Sequence, residues 1–239
     1  MLKIEIITVI PCYNEEEAIK EVVNQALRYS DVLVIDDGST DHTSKLAVEA
    51  GAGIIKHHNN LGKGAAIKTG LKKILNSDYR IIILMDGDGQ HNPDCIPIIV
   101  SGIGKAKIII GSRFINGTQP GMTIMRRLSN KLTTINLKSI TGYHITDSQS
   151  GFRALSSDVA QYFINIPYND YVYESELIYQ ASKNNVTIEE KPIPCSYNNE
   201  KSYITWINIL NYTLFLIKLP LRELKWKIDH LINFTFFFF

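Results

Sequence analysis

Several things that would mark a common protein class are scarce in this 239-residue chain. Its three cysteines, Cys12, Cys95 and Cys195, are odd in number and widely separated. That excludes a disulfide framework and fits a reducing compartment. None belongs to a CxxC pair, so the usual zinc knuckles are missing. The net charge is only +1, which leaves no electrostatic case for nucleic acid as a partner. Met1-Leu2-Lys3-Ile4-Glu5 lacks the basic start and apolar core of a secretory signal, so a cytoplasmic catalytic part is expected. No GxGxxG follows the first apolar run, and Gly62-Lys63-Gly64 lacks the spacing and the final Ser or Thr of a phosphate-binding P-loop. There is no internal repeat and no composition break of the linker kind.

What is present is an alternation. Hydrophobic residues make up 45% of the chain, enough for a sizeable core. Apolar, β-branched runs at 4–10, 32–35, 53–56, 81–85 and 107–110 read as strands. Helices fall between them. One is expected to be capped by Asn14 and to run to about Tyr29. A second is capped by Ser39, Thr40 or Asp41 and ends near Gly51, and a third reaches Leu75. Strands alternating with helices imply an α/β fold, a parallel sheet with helices on both faces. Right-handed crossovers bring every strand-to-helix loop to one edge. There converge Pro11–Glu15, Asp36–Asp41, Asp86–Gln90 and Gly111–Arg113. Beyond them the pattern predicts a long helix over 122–140, a turn at Asp147–Arg153, a helix over 174–183 and strands at 186–190 and 193–197.

Residues 1–202 read as one domain and 203–239 as a helical tail. From Ile204 to Ile217 the tail has no charge, but that run is shorter than the roughly 20 residues a spanning helix needs. Lys218 and Pro220 are expected to end this helix. Leu221, Leu224, Ile228 and Leu231 then recur at helical spacing beside Arg222, Lys225 and Lys227, the pattern of a helix lying in a membrane interface. A helix pair packed on the sheet, or a contact between copies in a homo-oligomer, would use the same pattern.

The sharpest stretch is Ile81-Ile82-Ile83-Leu84-Met85-Asp86-Gly87-Asp88-Gly89-Gln90. A continuous apolar run is the mark of a buried parallel strand, and ligands of such sheets bind just beyond the strands' carboxyl ends. Asp86 and Asp88, with Gln90 as a third oxygen donor, suit Mg²⁺ or Mn²⁺. Gly87 and Gly89 allow a sharp turn and a close approach. A plain acidic turn is the alternative. An Asp-x-Asp phosphatase nucleophile is another, disfavoured because the motif follows the fourth strand instead of the first.

Pro11-Cys12-Tyr13-Asn14-Glu15, Asp36-Asp37-Gly38-Ser39-Thr40-Asp41, Asp86-Gly87-Asp88-Gly89-Gln90-His91, Gly111-Ser112-Arg113 and Asp147 to Arg153 occur in order. Together they resemble the family 2 glycosyltransferases, closest to the branch of dolichyl-phosphate mannose and glucose synthases. The resemblance spans roughly residues 4–200. It implies a GT-A fold, a Rossmann-like, mostly parallel sheet flanked by helices, and a metal-dependent, inverting transfer of a hexose. The donor would be a nucleotide-diphosphate sugar, GDP-mannose or a UDP-sugar, and the acceptor a polyprenyl phosphate at a membrane surface, with a glycan or lipid headgroup as the alternative acceptor. It further implies that Pro11, Tyr13, Glu15, Asp37, Asp86 and Gly87 line the nucleotide-sugar pocket. Asp86, Asp88 and Gln90 would hold the metal and diphosphate, Asp88, Asp147 and Arg113 would serve catalysis, and Arg126 and Arg127 would meet the acceptor phosphate. Asp147 is given an orienting or acceptor-side role. Near residue 200 the chain departs from the family, keeping only Lys201 and Ser202 of the loop that would close over the diphosphate.

Overall fold

The computed structural model describes residues 5–117, 122, 124–194 and 206–236. Its centre is a seven-stranded sheet, and the strands follow the expected alternation. In chain order the elements are β1 (Ile6–Cys12), α1 (Ile19–Ala26), β2 (Asp31–Asp36), α2 (Thr43–Glu49), β3 (Gly53–Lys56), α3 (Lys63–Ile74) and β4 (Ile81–Leu84). There follow α4 (Ile96–Val100), β5 (Ile108–Ser112), α5 (Ile124–Thr141), β6 (Arg153–Ser156), α6 (Val172–Lys183), β7 (Ile188–Pro192) and α7 (Trp206–Phe236). The spatial order is β3-β2-β1-β4-β6-β5-β7. The order reverses at β1, which puts a crevice at the ends of β1 and β4.

Strand β1 runs on through Pro11, which was expected to end it. Its pairing with β4 stops at Val9 opposite Leu84, whereas its pairing with β2 continues to Cys12 opposite Asp36. Pro11 therefore sits where only one flank is paired, and its missing N–H breaks no ladder on the other. Two apolar layers cover the sheet. Ile7, Val9, Leu33, Ile35, Ile82 and Leu84 meet α3 and α6 on one face. Ile10, Val32, Val34, Ile83, Ile109 and Ala154 meet α1 and α4 on the other.

Strand β6 runs antiparallel to both β4 and β5, the one departure from parallel order. It starts from the same sheet edge at which β5 ends, so the loop before it, residues 142–152, lies beside the ends of β4 and β5. Residues 193 and 194 lie outside any strand, and the rest of the strand expected at 193–197 lies outside the described residues. The tail departs more sharply from expectation. α7 is a single helix with Pro220 inside it, not two helices parted there. Proline cannot donate to the carbonyl four residues back. That carbonyl, of Leu216, instead accepts from Asn136 Nδ2 of α5 at 3.5 Å. Phe215 and Leu219 are buried in the main core, so the tail is packed against the body on one face.

Candidate active site

The first two loops are stitched together by side chains. Asn14 has a left-handed backbone, φ 56°, and does not cap α1, which begins five residues later. Its Oδ1 accepts from the Thr40 amide at 2.9 Å, and its own amide donates to Ser39 Oγ at 2.9 Å. The Glu15 amide donates to Thr43 Oγ1 at 2.8 Å. Tyr13 and Glu15 stand half-buried at the rim, whereas Pro11 is buried within β1 opposite Ile35. Asp36 is fully buried and accepts from the Ser39 amide and Ser44 Oγ, with Lys56 Nζ at 3.3 Å. Burial pushes its pKa up, but these hydrogen bonds and Lys56 outweigh burial and hold it below the ordinary range.

Asp37, expected to reach a base or ribose, is occupied by the chain itself. Its Oδ1 accepts from the Leu61 amide at 3.0 Å and lies 2.7 Å from His57 Nδ1, and its Oδ2 accepts from the Gly62 amide at 2.7 Å. The carboxylate thus positions the loop that delivers Lys63. Pattern reading passed over that lysine, because Gly62-Lys63-Gly64 matches no phosphate-binding motif.

Lys63 Nζ lies 2.7 Å from Asp86 Oδ1 and 2.6 Å from Glu174 Oε1, and 5.8 Å above the Tyr171 ring. Burial works against its charge, but the two carboxylates prevail and hold the ammonium well above the ordinary lysine range. Asp86 is lowered in turn: burial raises it, and Lys63 and His91 more than offset that. Asp86 is packed from behind by Gly151, where a Cβ would come within 2.5 Å of Asp86 Oδ2. Gly87 is buried, and a Cβ there would collide with Cys12 Sγ. One side of Gly87 is therefore closed by Cys12. Asp88 is half-buried, and its Oδ1 accepts from the Gln90 amide at 3.0 Å, a turn that brings the Asp88 carboxylate and residue 90 together. His91 is buried against Phe152 with its Nδ1 unpartnered. Burial depresses it to about 4, against the pull of Asp86, so it is a neutral imidazole at pH 7.

Arg113 and Asp147 form the second half of the site. Arg113 Nε donates to Asp147 Oδ2 at 2.7 Å, Nη2 donates to Oδ1 at 2.9 Å, and the Arg113 amide donates to Oδ2 at 3.1 Å. Such two-pronged pairing fixes a guanidinium plane. Asp147 is wholly buried, and its amide donates to Glu190 Oε1 at 2.9 Å. Glu190 also receives the Thr146 amide and hydroxyl. Burial raises the Glu190 pKa, and these donors only partly counter it. Arg153, expected merely as part of a turn, is buried. It donates to the carbonyls of Ser148, Ser150 and Glu174 at 2.8 to 3.0 Å, tying the Asp147 loop to the helix that carries Glu174. The ends of β4 and β5 and the start of β6 thus bring Asp86, Asp88, Arg113 and Asp147 to one edge.

Arg126 and Arg127 lie in the first turn of α5, and Arg127 is half-buried with its Nε unpartnered. Lys201 lies outside the described residues. Cys12 is a packed thiol, pushed up by burial and by the acids around it.

The donor set suits a hard divalent cation. It offers two carboxylates and the Gln90 side chain, all oxygen, and among the described residues no cluster of three His, Cys, Asp or Glu competes. Few protein ligands, with positions left for substrate phosphates, is how Mg²⁺ and Mn²⁺ are held.

Residues 7–163 match the family model described as Glycosyl transferase family 2. Over 239 aligned residues the chain is 32% identical to the UDP-N-acetylglucosamine–dolichyl-phosphate N-acetylglucosaminyltransferase of Methanococcus voltae, covering 88% of this chain and 95% of that one. It is 28% identical to the polyprenol monophosphomannose synthase of Mycolicibacterium smegmatis, with coverages of 78% and 76%. The fold superposes with a TM-score of 0.67 on glucosyl-3-phosphoglycerate synthase from Mycobacterium tuberculosis, solved with Mn²⁺ and UDP-glucose. That match is at 19% identity and covers 91% of this chain and 78% of that one.

Proposed function

Because the chain belongs to glycosyl transferase family 2, we propose that it transfers a hexose or hexosamine from a nucleotide-diphosphate sugar to a polyprenyl phosphate, with inversion at the anomeric carbon. The architecture is the GT-A fold. Similarity to relatives named for dolichyl and polyprenyl acceptors supports the acceptor class. The observation that carries it is the state of Asp147, the acid in the region where a transferase acting on hydroxyls would keep its base. It is wholly buried and doubly bound to Arg113, so it serves better as an anchor than as a proton acceptor. A phosphate acceptor needs no such base, since its second pKa is about 6 and its oxygen is already charged near neutral pH.

In this reading Tyr13 and Glu15 border the nucleotide, and Asp86, Asp88 and Gln90 hold Mg²⁺ or Mn²⁺. The ion, when bound, neutralises the diphosphate leaving group. Lys63 keeps Asp86 ionised and in place. Arg113, oriented by Asp147, faces the phosphates, and Arg127 supplies a donor to the acceptor phosphate. An acceptor oxygen forms the new bond to the anomeric carbon as the bond to the diphosphate oxygen breaks. No helix among the described residues is long and apolar enough to cross a membrane. We place the enzyme peripherally at the cytoplasmic face, in keeping with the free, buried Cys12 and Cys95.

The test is a transfer assay pairing UDP- and GDP-sugars with a short polyprenyl phosphate. Product is expected with Mg²⁺ or Mn²⁺ and not with a chelator. Asp88→Ala is expected to reduce turnover by about 10²-fold or more. Transfer to hydroxyl acceptors but not to the phosphate would overturn the acceptor assignment, and wild-type turnover in Asp88→Ala would overturn the site.

A further inference from the structure

Two groups press on the Asp86 carboxylate, and only one of them has freedom to move. Gly151 backs it, and a Cβ at that position would collide with Oδ2. Lys63 Nζ holds Oδ1 at 2.7 Å. A lysine ammonium sits on a flexible four-carbon stem and turns readily between acceptors.

The backbone that presents Lys63 is clamped on both sides. Asp37 takes the amides of Leu61 and Gly62. A Cβ at Gly62 would collide with the Asn169 carbonyl, and one at Gly64 with Tyr173. Further along α3, Lys68 Nζ donates to the carbonyls of Ile166 and Tyr168 at 2.7 and 3.1 Å. Motion at this point therefore belongs to the Lys63 side chain and not to its loop.

A second partner is already within reach. Glu174 Oε1 lies 2.6 Å from Nζ, and among the described residues nothing else bonds that oxygen. The Tyr171 ring, 5.8 Å from Nζ, adds the attraction of an aromatic face for a cation. The two carboxylates differ in depth: the Asp86 side chain is 23% exposed and that of Glu174 only 9%. An ion arriving from solution meets Asp86 first, and Glu174 is the inner perch.

We infer that Lys63 is an internal competitor for the divalent cation, holding Asp86 Oδ1 and withdrawing onto Glu174 when the ion takes that oxygen. An ion about 2.1 Å from a carboxylate oxygen would otherwise share the atom with a second positive charge, and like charges at that range repel strongly. Lys63 thus keeps Asp86 ionised and in place, while its displacement weakens the hold on a bare ion. The inference rests on the proposed function for Asp86 as a ligand of that ion.

The test is Mn²⁺ binding to the full chain without nucleotide, read from the electron paramagnetic resonance signal of the free ion. In Glu174→Gln the lysine loses its inner perch, and Mn²⁺ is expected to bind at least about threefold more weakly than to wild type. Lys63→Met is expected to bind it at least about tenfold more tightly. Mn²⁺ should also raise the thermal midpoint of Lys63→Met by more than that of wild type, because the ion replaces the missing charge. The double variant Lys63→Met, Glu174→Gln leaves no acid stranded at 174. It should bind at least about tenfold more tightly than Glu174→Gln alone, which covers the case of a poorly folded single variant. A lysine that only braces the site would, on removal, loosen Asp86 and weaken the ion instead. Mn²⁺ binding that Asp88→Ala abolishes, but that removal of Lys63 leaves unchanged or weaker, would overturn the inference and leave the ligand assignment standing. Absence of any binding that depends on Asp88 would overturn both.

Discussion

A buried ammonium between two carboxylates sets both their charge and their spacing, and Lys63 does this for Asp86 and Glu174. Removing the cation strands two acids in a site shielded from water, a change that costs about 3 kcal/mol when one partner of a buried ion pair is deleted. Lys63→Met is expected to lose roughly that much stability at pH 7, read from urea unfolding. The pH dependence follows from the directions of the shifts. Asp86 is depressed, so its share is present above the ordinary carboxylate pKa and is lost as pH falls through the lower folded value. Lys63 is raised, so its share is complete below the ordinary lysine pKa and lost only in strong alkali. The deficit of Lys63→Met should therefore be level from pH 6 to 8 and shrink on acidification below about pH 4. A deficit that changed between pH 6 and 8 would count against the pairing. Of this triad only Asp86 was legible in the sequence, because Lys63 and Glu174 lie 23 and 88 residues from it and belong to no local motif.

Among the elements, α5 and α7 best display how a helix's periodicity can be clear while its orientation is hidden. The spacing of Leu128, Leu132 and Ile135 predicts a helix, and a helix forms there. The stripe that would ordinarily be taken for the core face points outward, because Asn130, Thr133 and Thr134 have partners waiting on the 146–149 loop. Pro220 was read as a terminator for the same local reason. It lies mid-helix since Asn136 donates to the carbonyl it leaves unpaired. Asn136→Ala is thus expected to cost about 0.5 to 1 kcal/mol. In a Pro220→Ala background, where residue 220 can itself donate to Leu216, that cost should vanish. A double-mutant cycle by chemical denaturation measures the difference, and equal costs in the two backgrounds would remove Asn136 from this role.

For the molecule as a whole, the tail is stitched to the sheet domain by ion pairs as well as by apolar contact. Arg222 donates to both oxygens of Glu176, at 2.8 and 2.7 Å. The Glu176 side chain is wholly buried, whereas that of Arg222 is 34% exposed. Lys183 and Glu223 form a second bridge nearby. Truncation ahead of Arg222 would therefore do more than shorten a helix. It should cost about 2 to 3 kcal/mol, at the low end for breaking a buried pair because Arg222 is partly solvated. That corresponds to a Tm lower by about 5 to 10 °C for a chain of this length. The same truncation in Glu176→Gln should recover part of the loss, since a neutral amide needs no cation. If calorimetry finds the truncated protein as stable as the full chain, α7 is a separate appendage.

The parallel core, the strands up to β5 and the loops gathered at one edge follow from the order of the amino acids alone. Fully buried strands must be continuously apolar, and a chain leaving such a strand needs Gly, Asp or Asn to turn. That order also marked Asp86, Asp88 and Arg113, which sit within four residues of strand ends. Long-range contacts set the rest: β6 enters against the parallel order and brings Asp147 onto Arg113, Asp37 holds a loop, and Lys63 joins Asp86. The same contacts set which faces of α5 and α7 turn outward. Each of these depends on partners far apart in the chain, and neither the period of a helix nor that of a strand carries information about what will lie across from it.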